Sequence, residues 1–160
     1  MRTTRTTRLL RWASGIMIFL GAGHLSLLTL ISWDQVTGWF DRGLWAAVPL
    51  DLSDSGTDLR NEVTFWAGPG SFAVPLVLLG CLIWHLAGRG VTVPAGLGWA
   101  VAVWSALAGV LLVPSPYFAG VVAGALVIAA ARNDSSAPAT IAAGHSESGA
   151  SSTQEPSVRE

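Results

Sequence analysis

At 160 residues, of which 51% are hydrophobic and only 12% charged, and with a mean hydropathy of +0.53, the chain is too apolar for an ordinary water-soluble domain and short enough for one domain. The formal net charge of -1 hides a segregation: all nine basic residues are arginine, Arg2, Arg5, Arg8 and Arg11 crowd the N-terminus, and six of the ten acids lie between Asp34 and Glu62. No folded part carries the basic face that nucleic-acid binding needs, and a lone Cys81 excludes an intramolecular disulfide.

Four apolar stretches then follow one another in an all-α pattern that predicts a transmembrane four-helix bundle, because about 20 apolar residues let a helix cross a bilayer. The first, Leu9 to Ile31, is bracketed by Trp12 and Trp33, as indole rings favour the membrane interface. It is longer than the apolar core of a secretory signal and lacks a clean Ala-x-Ala site, so it reads as an uncleaved helix. His24, inside it, is the one ionisable residue deep in a predicted span, which makes it the candidate intramembrane polar site. Thr29, Ser71 and Ser105 are its candidate hydrogen-bond partners, with Ser71 and Ser105 drawn from the second and third spans.

Between the first two spans, Val36, Trp39, Phe40, Gly43, Leu44, Trp45 and Val48 recur at helical spacing among Asp34, Asp41 and Arg42. This predicts a short amphipathic helix lying on the outer surface, ended by Pro49. Asp51, Asp54 and Asp58 follow in a solvated acidic turn; their spacing does not supply the alternating oxygen ligands of a calcium loop. The second span, Val63 to Trp84, begins near Trp66 and holds Gly68-Pro69-Gly70 and Pro75, which can bend it. Cys81 within it is expected to be a small buried apolar residue.

The third span, Val91 to Val113, carries Trp99 near its inner end and Trp104 within it as a packing residue. Pro114-Ser115-Pro116 makes a tight turn into the fourth, Pro116 to Ala131, whose roughly 24 Å at 1.5 Å per residue falls short of a 30 Å hydrocarbon core. Gly120 and Gly124 form a small-xxx-small pair that lets a neighbouring backbone approach, and Ser105 with Gly109 offers the facing groove, so spans three and four are expected to pair as an antiparallel hairpin. Residues 133–160 are Ser, Ala, Thr, Gly, Glu and Pro with almost no large apolar side chain, the composition of a disordered tail in which His145 is inert.

Arginine sets the orientation. The N-terminal cluster, Arg89 between spans two and three, and Arg132 after span four all fall on one side, which places both termini in the cytoplasm and the chain in the plasma membrane as a multi-pass protein.

Chemistry is sparse. His85, at the far end of span two, lies roughly 20 Å from His24 by helical rise and cannot share a haem iron with it. No span clusters metal ligands, and no nucleophile, base and orienting acid converge, so no catalytic residue, metal or cofactor is expected. Gly21-Ala22-Gly23-His24, Gly43-Leu44-Trp45-Ala46-Ala47-Val48, Phe65-Trp66 with Gly70, Leu97-Gly98-Trp99 and Gly109-Val110-Leu111-Leu112-Val113-Pro114 resemble a family of uncharacterised four-span bacterial membrane proteins across roughly Arg11 to Arg132. The architecture is more distantly similar to DoxX-type proteins. The resemblance implies a fold and a compartment without an activity. The leading expectation is a non-enzymatic membrane protein that packs with itself or a protein partner in the lipid bilayer; a small-molecule or ion pathway at His24 and a redox accessory subunit are the alternatives.

Overall fold

The computed structural model describes residues 4–44, 47–48, 56–111 and 116–135. Among them the chain is all-helical: α1 (Thr4–Ile31), α2 (Trp33–Asp41), α3 (Gly56–Ala67), α4 (Ala73–Gly88), α5 (Ala95–Leu111) and α6 (Phe118–Ser135), with no strand. Among the described residues only α1, at 28 residues, is long and apolar enough to cross a membrane by itself, and it lies near the N-terminus. The apolar helices α4 and α5 have 16 and 17 residues. The 18 residues of α6 end in Arg132, Asn133, Asp134 and Ser135, so its last turn is polar.

The breaks follow from glycine and proline. The predicted outer helix does form, but it stops at Asp41 rather than running through Val48 to Pro49. Gly43 adopts φ 78°, its N–H donates to the Phe40 carbonyl and that of Leu44 to the Trp39 carbonyl, closing a Schellman turn. Trp45, Pro49, Asp51 and Asp54 lie outside the described residues. The second predicted span is two helices. α3 ends at Ala67, the Gly70 N–H bonds back to the Phe65 carbonyl, and α4 begins at Ala73. Pro75 falls in the first turn of α4, where a missing N–H leaves no helical bond unmade, so it starts this helix instead of bending it. At the other end of α4, Gly90 at φ 69° repeats the Schellman geometry, with Gly90 donating to Ala87 and Val91 to Leu86. Helix α5 therefore starts at Ala95, four residues later than the predicted third span. Helix α6 runs three residues past Arg132, through the first residues assigned to the tail; the remainder of the tail, 136–160, and Pro114-Ser115 are outside the described residues.

In space the order is α4, α1, α6, α5. Two antiparallel pairs, α1 with α4 and α5 with α6, join mainly through α1 against α6, with a smaller contact of the Phe72 ring on Trp104 at 5.4 Å. Leu10, Ala13 and Met17 of α1 fill the centre together with Ile83 of α4 and Ala123 and Val127 of α6. Ser14 is buried there because its hydroxyl donates to the Leu10 carbonyl at 2.8 Å, which satisfies it inside its own helix. Cys81, expected to be buried, is exposed: it lies on the outward face of α4, between the buried Gly80 and Ile83 of the opposite face. Gly21 lies against Ala73, the first residue of α4, so the ten residues of α1 beyond it rise about 15 Å above the bundle, toward α2 and α3.

Candidate functional site

The upper end of α1 carries His24, which is exposed. Its Nε2 lies 3.0 Å from the carbonyl oxygen of Ala67, the last residue of α3. A carbonyl can only accept, so Nε2 bears the proton. The bond places the imidazole on one of the carbonyls that a helix C-terminus leaves without an intrahelical donor, where the helix dipole favours a donor. None of the three expected partners holds this ring. Thr29 donates to its own helix at Leu25, and Ser71 donates to the Gly68 carbonyl at 2.6 Å while accepting from the Ala73 N–H, which caps α4. Ser105 is buried in the α5–α6 interface. His24, Ser71 and Ser105 therefore act in three different places. A chain carbonyl four or more turns away in sequence has no residue-type signature, which is why the sequence pointed to hydroxyls instead.

Arg11 and His85 belong to the opposite end. The Arg11 guanidinium sits 5.7 Å from the centroid of Trp84, a cation–π contact that ties the base of α1 to the end of α4, and His85 lies in the last turn of α4. Among the described residues no group of three metal-ligating side chains comes together. In the outer layer Trp39 meets Phe65 edge-on at 6.5 Å, and its Nε1 and the Nδ2 of Asn61 are buried without a hydrogen-bond partner.

Several close helix–helix approaches are made at glycines. Gly120 faces the Ser105 hydroxyl; Gly124 faces the Gly98 carbonyl, a side chain there landing 2.6 Å from that oxygen; Gly109 lies against the Phe118 ring. On the other pair, Gly21 meets Ala73 and Val77, and Gly80 meets the Ser14 carbonyl and Ile18. Gly98 and Gly80 were not singled out by sequence reasoning, although Gly98, Ala102, Ser105 and Gly109 form a small-residue stripe at helical spacing that signals such a face.

A groove of about 740 Å³ opens where α6 begins beside α1, lined by Trp12, Gly15, Ile16 and Phe19 of α1 and by Pro116 and Phe118. A second, of about 630 Å³, lies at the other end between the α4–α5 turn and the end of α6.

His24→Leu is expected to lose about 0.5–1.5 kcal/mol of stability through the Ala67 bond, while His24→Gln, which keeps a donor, loses less. Thermal unfolding of the two purified variants measures the difference; equal loss in both would place the contribution in the ring's packing.

A family model described as "Family of unknown function (DUF6463)" matches residues 8–135. No curated protein matches the chain, and no solved structure does.

Proposed function

The chain belongs to the DUF6463 family, whose function is unknown, and from that premise we propose that it is a non-enzymatic, four-span protein of the plasma membrane that acts as a packing or accessory subunit. The crossings are α1, α3 together with α4, α5 and α6. The observation that carries this reading is the placement of polarity. Close helix–helix approaches are made at glycine, alanine and serine around a centre of Leu10, Met17, Ile83 and Val127, whereas the outward faces also hold large apolar side chains, Phe19, Leu78, Val103 and Val110, the first of them 78% exposed. A water-soluble bundle keeps such outward faces polar; close approach at small residues together with large apolar side chains turned outward suits helices solvated by lipid tails. The breaks in α3–α4 fall where neighbouring backbone and Ser71 satisfy the freed groups, as a membrane demands. The bacterial, DoxX-like kinship implied by the resemblance belongs to the same proposal. Single cysteines at Ser55 and Ser146 in a Cys81→Ala background test it: an impermeant thiol reagent on intact cells is expected to label Ser55→Cys and not Ser146→Cys. Labelling of both or neither on intact cells, with both reactive after lysis, would overturn the topology.

A further inference from the structure

The groove at the start of α6 shares its helix face with two arginines. Counting back from Phe19 along α1, Ile16, Gly15 and Trp12 line the groove, and Arg8 and Arg5 continue the same face at spacings of four and three residues, both exposed. Arg11, one position off this face, is directed instead to Trp84. None of the groove's lining side chains is acidic. Pro116 and Phe118, where α6 begins, form the facing wall of the groove. From Arg8 to Phe19 the helix rises about 16 Å, close to half of a 30 Å hydrocarbon core. Its volume of about 740 Å³ lies within the range of small-molecule sites.

We propose that this groove seats an acyl chain of an anionic phospholipid whose headgroup phosphate is held by Arg5 and Arg8. The inference rests on the membrane reading above. Three features select this occupant. The apolar slot runs about 16 Å along α1 beyond Arg8, room for much of an acyl chain. On the same face, one and two turns before Trp12, the exposed Arg8 and Arg5 offer two permanent positive charges that accept a phosphate. Paired arginines at the mouth would set one copy's positive charge against another's if a second chain filled the slot, which disfavours that occupant. Basic clusters between helices on the cytoplasmic side are the usual form of anionic-lipid recognition.

Gly15 makes the test clean. A Cβ there meets nothing within 4 Å, so Gly15→Leu starts from open space and projects into the groove that Gly15 lines. The full chain, purified in detergent, is mixed with phosphatidylglycerol or phosphatidylcholine of identical chains, and retained lipid is counted by native mass spectrometry. The expected result is about a thirtyfold preference for phosphatidylglycerol, the effect of two arginines at a charged surface. Arg5→Gln with Arg8→Gln is expected to erase the preference, and Gly15→Leu to reduce retention of both lipids with a melting temperature no lower than that of the wild type. Equal retention of the two lipids by the wild type, or a preference untouched by the arginine changes, overturns the proposal. So does a dimer that Gly15→Leu dissociates, which would make a second copy the occupant. Alkaline carbonate extraction separates the two levels: a chain that leaves the membrane sinks the membrane reading itself, whereas a chain that stays and shows no preference sinks only the lipid site.

Discussion

Gly124→Leu is expected to lose about 3 kcal/mol or more of stability, a fall of roughly 6–12 °C in melting temperature for a chain of this size. A Cβ at Gly124 would lie 2.6 Å from the Gly98 carbonyl oxygen, 2.7 Å from the Ala102 nitrogen and 2.8 Å from the Ala102 Cβ. Two of these neighbours are backbone, which cannot rotate away, so accommodation requires that α5 and α6 separate along their length. Gly98 is the reciprocal half of the contact, since its Cβ would meet the Gly124 carbonyl at 2.7 Å. The matched control is Gly15→Ala, where open space surrounds the site and the gain in helix propensity is up to about 1 kcal/mol. Thermal unfolding followed by circular dichroism in detergent compares the two; melting temperatures that agree would mean that α5 and α6 do not touch through these glycines.

Met17→Ala is expected to lose about 2–5 kcal/mol by the opposite mechanism, an emptied space in place of an overfilled one. Met17 is fully buried in the cluster of α1, α4 and α6, where close packing leaves little room for collapse. Leu78→Ala on α4 removes a side chain of similar size that is 64% exposed and is expected to change stability by less than about 0.5 kcal/mol. Denaturant or thermal melts of the two variants check this. A Leu78→Ala loss as large as that of Met17→Ala would show that the outward face of α4 is packed against something in the purified protein.

The contrast between these positions explains what could be read from residue order alone. Helical periodicity and apolar run length located the helices, since Leu9–Ile31 and Pro116–Ala131 overlap α1 and α6 closely. Where runs were continuous in hydropathy the ends were misplaced: nothing in the apolar content of Val63–Trp84 distinguishes the turn at Gly68–Pro69–Gly70 from a bend, and only the Gly70 to Phe65 bond decides it. The small residues of α6 were legible because Gly120 and Gly124 are four apart. Their partners were only partly so, because which of Gly98, Ala102, Ser105 and Gly109 meets which depends on the axial offset of two helices, set by the turn between them and not by either sequence. His24 illustrates the other limit. Its type marked it as costly to leave unpartnered, yet its partner is a peptide carbonyl, and every residue has one.

The spatial order α4, α1, α6, α5 has a consequence for synthesis. Of the four packed helices α1 is made first and α6 last, and these two hold the pairs together, so the loop to be closed spans nearly the whole packed region, and its entropy is met only at the end. Until α6 emerges, α5 has no neighbour for Gly98, Ala102 and Ser105, and α1 shows Ala13 and Met17 uncovered. A nascent chain interrupted anywhere before residue 118 is therefore an unfinished object with two bare seams, and its completion is a single late docking event rather than a gradual accretion of helices.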